Sequence, residues 1–122
     1  MIRISEIKLT LAQAEQPLAP LRAAAAGILG LPESALAEVQ VFKRSFDARK
    51  PELMAVYIVD VALAEAAAEA PLLARLAGRA HITATPDMQW HPPVQLHSPA
   101  TDRPVVVGFG PCGIFAALVL AQ

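Results

Sequence analysis

The chain has 122 residues, of which 55% are hydrophobic, and its formal net charge at pH 7 is −1. This length fits one small domain with an additional segment, and the near-zero charge gives no general attraction to nucleic acid or to anionic membranes. The sequence has one cysteine, so it cannot form an internal disulfide framework. The lack of disulfides fits a reducing compartment. We therefore expect a cytoplasmic protein.

The first strand and the first helix are indicated by two different periodicities. Residues 3–11 alternate polar and apolar side chains and predict a strand, with a bulge where the alternation slips at Ser5 and Glu6. Residues 18–29 place their apolar side chains on one helical face, and Gly30 is a typical helix end. The chain is therefore expected to begin with a strand followed by a helix.

The next segment has the pattern of a hairpin followed by a helix and a strand. Residues 39–46 and 54–63 predict two strands joined by a polar loop. Residues 65–77 predict a second helix, with Pro71 near its start or kinking it, and residues 80–85 predict a short last strand.

The predicted order β-α-β-β-α-β is that of ferredoxin-like folds, in which two helices cover one face of a four-stranded antiparallel sheet. We therefore expect an α+β protein with a ferredoxin-like N-terminal domain over residues 1–85. Prolines recur through residues 86–103 and predict an extended, semi-rigid linker. Residues 104–122 predict the beginning of a second, different domain.

This last segment contains the spacing G-x-G-x-x-G after a β-branched run and before an apolar run. In dinucleotide-binding units, the first glycine (here Gly108) permits the tight turn and the second (Gly110) lets a pyrophosphate approach the backbone. The third (Gly113) lets the helix pack closely on the strand. The backbone N–H groups of Cys112 and Gly113, at the start of the predicted helix, are expected to be unpaired and to point towards a bound anion such as the pyrophosphate.

The segment therefore predicts the truncated first β-α of a Rossmann-type domain. Such a domain also needs an acidic residue on a second strand, about 20 residues beyond the glycines, and the 122 residues end before that point. We expect the chain alone to hold a dinucleotide weakly. A membrane anchor over residues 105–121 is the alternative, but the segment is short for a span and rich in glycine, so we expect no membrane association.

Taken together, these features make the chain resemble the N-terminal portion of the uncharacterised FAD-dependent dehydrogenases, a family of NAD(P)/FAD-dependent oxidoreductases. The resemblance rests on residues 41–50 (VFKRSFDARK) and residues 103–118 (RPVVVGFGPCGIFAAL). It implies an FAD-dependent oxidoreductase in which the remainder of the FAD-binding domain is the partner of this chain. The residues that would cradle the FAD pyrophosphate are Gly108, Gly110, Cys112 and Gly113. The resemblance implies neither a catalytic residue in this chain nor a known substrate, and the chain alone is expected to be inactive.

A group of basic residues lies at the predicted hairpin. Lys43, Arg44 and Arg49 are candidates for contact with a phosphate or with the following domain. The alternative is a solvated turn whose charge is partly neutralised by Asp47 and Glu52.

A second kind of function is a stand-alone ferredoxin-like module that binds a small ligand, a protein or RNA, with a hydrophobic C-terminal tail. RNA recognition on such a sheet needs exposed aromatic residues. The only aromatic residues in the predicted strands are Phe42, Phe46 and Tyr57, so we expect no nucleic acid partner.

A metal site is the third alternative. The candidate ligands His81, His91, His97 and Cys112 have spacings that fit no compact zinc pattern. Cys112 lies where a helix start lowers the pKa of a thiol, but the chain offers no second cysteine as a redox partner. We therefore expect no metal.

Overall fold

The computed structural model describes residues 1–49, 51–90 and 102–121. The chain divides into two compact units, Met1–Asp87 (unit 1) and Met88–Gln122 (unit 2). In unit 1 the described elements are β1 (Ile2–Thr10), α1 (Leu11–Glu15), α2 (Leu18–Leu29), β2 (Leu36–Asp47), β3 (Met54–Leu63), α3 (Glu69–Arg75) and β4 (Ile82–Ala84). Two short 3-10 turns lie at Glu33–Ala35 and Ala66–Ala68. In unit 2 the described element is α4 (Pro111–Leu120).

The four strands form one antiparallel sheet in the order β2-β3-β1-β4. The long hairpin of β2 and β3 supplies one side of the sheet, and β1 pairs with β3 on one side and β4 on the other. The prediction of an α+β protein with a four-stranded antiparallel sheet is therefore confirmed.

The hydrophobic core lies on one face of the sheet. α2 contributes Leu21, Ala25 and Leu29, and α3 contributes Leu72. The strands contribute a row of buried residues, Ile2, Ile4, Ile7, Leu9, Ala55, Tyr57, Val59, Val61 and Leu63. Because side chains alternate across a strand, the intervening residues lie on the other face, which we call the open face; it carries Arg3, Lys8, Lys43, Ser45, Val56, Ile58 and Asp60.

A bulge in β1 keeps its apolar residues on the core face. Ile4 lies opposite Val59 and Ile7 opposite Tyr57, so two residues of β1 occupy the space of one residue of β3. Glu6, the second of the two, has φ +61°. The predicted bulge is confirmed, and the extra residue restores the inward orientation of Ile7.

In the first helical region, the end of α2 was predicted correctly, whereas the short helix before it was not predicted. α2 ends at Gly30, whose φ of +68° is the left-handed conformation that glycine adopts most easily. The short helix α1 was not predicted. Its first residue follows Thr10, and Thr10 and Gln13 form a reciprocal capping box that fixes the turn of the chain after β1.

The last two elements of unit 1 are shorter than their patterns suggest. A single helix was predicted over residues 65–77, whereas the structure has a 3-10 turn followed by α3. Pro71 is the third residue of α3, where its missing N–H leaves no helical hydrogen bond unmade. β4 covers three residues of the predicted strand at 80–85, which pair with Ile2, Arg3 and Ile4 of β1. His81 still accepts a hydrogen bond from the backbone N–H of Ser5, but its φ of +72° departs from the strand conformation.

The predicted linker and the predicted β-α of residues 104–122 are described in part. Residues 86–90 have no regular structure, and the rest of the predicted linker up to residue 101 lies outside the described residues. Residues 105–107 were predicted to form a strand, but within residues 102–121 they pair with no other segment and only α4 is regular. A strand needs a neighbour to accept its hydrogen bonds, and the described part of unit 2 contains none.

Candidate functional site

The glycine segment of unit 2 turns sharply into a helix. Gly108 has φ +112°, a conformation that residues with a side chain rarely adopt. Gly110 follows in an extended conformation, and α4 starts at Pro111, whose fixed φ suits the first helical position. The glycine at 108 is therefore required by its backbone conformation.

The other two glycines have opposite surroundings. A Cβ atom on Gly113 would overlap the carbonyl oxygen of Gly108 and would lie 3.1 Å from the carbonyl carbon of Gly108 and 3.7 Å from Cγ1 of Val106. Among the described residues, a Cβ atom on Gly110 would meet no atom within 4 Å. Gly113 is thus a point of close packing between helix and turn, whereas Gly110 faces open space.

The start of α4 is not closed by a side chain. Gly110 is the N-cap residue and has no side chain, so no cap hydrogen bond closes this end of the helix within the described part of unit 2. Cys112, the second residue of the helix, is exposed. Unpaired N–H groups at a helix start carry partial positive charge and favour an anion.

Beyond its first turn, α4 is apolar and exposed around its circumference. Its exposed large residues are Ile114, Phe115, Leu118, Val119 and Leu120. A helix that is apolar on all sides is normally buried among other elements.

The structure does not gather the three candidate basic residues at one point. Lys43 and Arg44 are neighbours in β2, with Lys43 opposite Ile58 and Arg44 opposite Tyr57. They therefore lie on different faces of the sheet. Arg49 lies in the hairpin loop, where its guanidinium binds Asp47, with Nε 2.8 Å from Oδ1 and Nη2 2.8 Å from Oδ2.

Asp47 closes the hairpin by holding two cations. Its carboxylate also accepts a hydrogen bond from Nζ of Lys8 at 3.1 Å, and its side chain is largely buried. The hydrogen bonds from Arg49 and Lys8 hold the pKa of Asp47 far below its usual range. Of the three candidates, Arg49 is therefore neutralised within the hairpin, whereas Arg44 stacks on the exposed ring of Phe46, 5.1 Å from its centroid.

A second polar group occupies the open face. Nε of Arg3 lies 2.8 Å from Oδ1 of Asp60, and Nη2 lies 2.7 Å from Oδ2. The hydroxyl of Thr85 donates a hydrogen bond to the same carboxylate at 3.0 Å. The ring of Phe42 covers the guanidinium at 3.7 Å, yet 46% of Phe42 remains exposed. This group was not predicted, because Arg3 and Asp60 are 57 positions apart and nothing in the sequence pairs them.

The depressions in unit 1 include two that described residues line. One has a volume of about 500 Å³ and a mainly apolar lining from Leu31, Leu63, Ala67, Ala68, Pro71 and Leu72, with Glu65 and Arg75 also contributing. The other, about 250 Å³, lies beside the hairpin and is lined by Glu6, Ser45, Phe46, Asp47, Ala48, Arg49 and Val56. Both are open to solvent, and neither contains a cluster of unpaired catalytic groups.

The described residues contain no group of three or more histidine, cysteine, aspartate or glutamate side chains that could hold a metal ion. His81 lies near Ser5, with Nδ1 3.5 Å from its hydroxyl oxygen, and His91 and His97 lie outside the described residues. Within the same part of the chain, no helix is both long and apolar enough to cross a bilayer.

The fold and the site define a small α+β domain followed in the chain by a glycine turn and an apolar helix. Residues 1–62 match a family described as a domain of unknown function (DUF8436). The match runs from β1 into β3 and covers half of the sequence, so the chain belongs to this family. No curated protein matches the sequence.

Proposed function

We propose that the chain is the N-terminal portion of an FAD-dependent oxidoreductase, in which the turn at residues 108–113 binds the FAD pyrophosphate. The observation that carries the proposal is the different role of each glycine. Gly108 has a positive φ, Gly113 packs against the carbonyl of Gly108, and Gly110 has open space where a side chain would be. A dinucleotide-binding turn requires a tight turn, room for the pyrophosphate and close packing of the helix on the preceding strand. The first two features correspond directly, and in place of the third the helix packs on the turn and near Val106.

The residues present fit a pyrophosphate in shape and in charge. The open space beside Gly110 permits close approach of a phosphate, and the uncapped start of α4 offers N–H groups, including those of Cys112 and Gly113. No acidic side chain lies in the first turn of α4 to repel an anion. When bound, FAD would supply the redox chemistry, and the chain would supply position and electrostatic support.

The finer fold proposal is that unit 1 is ferredoxin-like and that unit 2 begins a Rossmann-type domain. The strand order β2-β3-β1-β4, with α2 and α3 packed on one face, supports the first part. The turn geometry at the glycines and the exposed apolar surface of α4 support the second, because the helix of a β-α-β unit is buried against the sheet and its neighbours.

The partner of unit 1 in this proposal is the remainder of the FAD-binding domain. Arg44 stays available for that contact because it forms no ion pair among the described residues. Arg49 contributes indirectly, since its bonds to Asp47 shape the hairpin.

The experiment is to purify the natural protein that contains this sequence and to measure the FAD released from it on denaturation. Gly110→Ala should weaken FAD binding about tenfold or more, because the methyl group occupies the space that a phosphate needs. The backbone of Gly110, with φ −83° and ψ 177°, accepts alanine without strain.

Gly27→Ala is the matched control, since a Cβ atom at Gly27 also meets nothing within 4 Å and this glycine lies in α2. Protein that contains no flavin and takes up none from added FAD would contradict the proposal. Equal FAD retention by the Gly110→Ala and Gly27→Ala variants would place the cofactor elsewhere.

A second candidate function is a binding module that uses the open face of the sheet. It is favoured by the exposed ring of Phe42 on the guanidinium of Arg3, an arrangement that presents a flat apolar surface beside charged groups. The flavin measurement separates the two candidates, because only the oxidoreductase contains FAD.

A further inference from the structure

Strand β2 forms one edge of the sheet, with β3 on one side and no strand of unit 1 on the other. It is 12 residues long, and it exposes 41% of Val41, 46% of Phe42 and 53% of Phe46. A long edge with exposed apolar residues offers backbone hydrogen bonds and apolar contact to another strand.

The charges along β2 are divided between its two halves. Glu38 lies in the first half, and Lys43 and Arg44 lie in the second. The strand ends at Asp47, whose carboxylate is already bound by Lys8 and Arg49. Glu38 accepts a hydrogen bond from Nε2 of Gln40 at 2.8 Å, and among the described residues neither Glu38 nor Lys43 forms an ion pair. The charges of both side chains are therefore available to a partner.

We propose that the β2 edge binds the β2 edge of a second copy of this chain, in antiparallel orientation about a two-fold axis near Gln40. An antiparallel arrangement brings the first half of one strand against the second half of the other. Glu38 of each copy then lies beside Lys43 of the other, and Val39 lies beside Val41. A two-fold contact repeats each such pair, so one strand with this charge division is complementary to itself.

The bulge between Val41 and Lys43 is compatible with this register. Val41 lies opposite Val59 and Lys43 opposite Ile58, so Phe42 is the extra residue of the strand. The ring of Phe42 packs on Arg3 on the open face. Because Phe42 is an extra residue, Glu38, Gln40 and Lys43 all lie on the open face. Val39 and Val41 lie on the core face. Opposite charges and apolar residues therefore meet on matching faces of the joined sheet.

The bulges also limit the extent of the contact. The ladder between β2 and β3 is irregular at Leu36–Glu38 and again at Val41–Lys43, and bulges at an edge bend the strand away from long continuous pairing. The interface is accordingly short and centred on residues 38–43, and it depends on charge pairing as well as on backbone hydrogen bonds.

The test is the mass of the full chain in solution over a range of concentrations, by sedimentation or light scattering. The wild type should form dimers, Glu38→Lys should weaken dimerisation about tenfold or more, and Lys43→Glu should do the same, because each variant places like charges opposite each other. The double variant E38K/K43E reverses both charges and should restore the dimer.

Glu15→Lys is the control, because Glu15 is an exposed acid on α1 and its reversal changes net charge equally. A monomeric wild type at every concentration would overturn the proposal. Association that Glu38→Lys does not weaken would place the contact elsewhere, for example on the apolar surface of α4. Recovery of the dimer in E38K/K43E also excludes misfolding as the cause of the loss in the single variants. The dimerisation measurement does not depend on FAD binding.

Discussion

The guanidinium of Arg3 and the carboxylate of Asp60 form two parallel hydrogen bonds across the neighbouring strands β1 and β3. Both side chains are largely excluded from solvent by their surroundings, at 13% and 11% exposure. The pair lies on the face of the sheet opposite the hydrophobic core, where Phe42 covers it and Thr85 adds a further hydrogen bond. It therefore joins the two central strands to β2 and to the end of β4.

This pair predicts an acid-dependent loss of stability. The hydrogen bonds from Arg3, which outweigh the effect of burial, lower the pKa of Asp60 from its ordinary value of 3.8. The unfolded state consequently binds more protons than the folded state between the two pKa values, so stability rises with pH in that interval. The contribution is complete above about pH 5 and is lost as the pH falls below about 4.

Asp60→Asn should therefore lower the free energy of unfolding by about 2 kcal/mol at pH 7. It should also reduce the decrease in stability between neutral and acid pH, as measured by urea denaturation at a series of pH values. Some acid dependence should remain, because the pKa values of Asp47 and Glu69 are lowered as well. An unchanged pH profile in the variant would show that the pair does not carry this dependence.

Two glycines of the α2 region should respond to alanine in opposite directions. Gly27 lies inside α2 with open space around its Cβ position, so Gly27→Ala should stabilise the fold by about 1 kcal/mol. Gly30 has φ +68°, so Gly30→Ala should destabilise it by about 1 to 2 kcal/mol. Thermal denaturation of the two variants side by side measures this difference, and shifts of the same sign would contradict it.

The hydroxyl of Tyr57 is buried and has no hydrogen-bond partner among the described residues. Only 1% of the residue is exposed, so the hydroxyl lost its water on folding without a replacement in that part of the chain. Tyr57→Phe should raise the free energy of unfolding by about 1 kcal/mol. Chemical denaturation is a sufficient measurement, and a clear loss of stability would mean that the hydroxyl has a partner, such as a buried water.

The capping box at the start of α1 should make a smaller contribution. Thr10 accepts a hydrogen bond from the backbone N–H of Gln13, and Gln13 accepts one from the backbone N–H of Thr10. Thr10→Ala should reduce stability by about 1 kcal/mol. Thr10→Ser retains the hydroxyl and is the control, so an equal loss in both variants would argue against the cap as the cause.

Local patterns predicted the features that depend on neighbouring residues. The slip at Ser5-Glu6 predicted the bulge, and Gly30 predicted the end of α2. The spacing of Gly108, Gly110 and Gly113 predicted a tight turn at Gly108, in keeping with its φ of +112°, whereas the pyrophosphate contact of these glycines stays a prediction. The threonine and glutamine at 10 and 13 are a capping signal that could have indicated α1.

Features that join distant parts of the chain were not predictable in the same way. The contact of Arg3 with Asp60 depends on the register of β1 against β3, which a single sequence does not specify. By contrast, Arg49 and Asp47 are only two positions apart, and partial neutralisation by Asp47 was one of the two alternatives that the sequence offered for the basic residues. Residues 105–107 form no strand within the described part of unit 2. A strand needs a neighbouring strand to pair with, and the periodicity of one segment does not predict whether such a neighbour is present.

The bulge in β1 also defines a place where the length of the chain can change at little cost. Ile2 and Ile4 reach the core in steps of two residues, as do Ile7 and Leu9, and only the step between the two pairs has three. Loss of one residue at Glu6 would convert that step to two and leave all four side chains on the core face. The same loss outside the bulge residues Ser5 and Glu6 would place the apolar side chains of part of the strand on the open face. Homologues that differ in length within this strand are therefore expected to differ at the bulge.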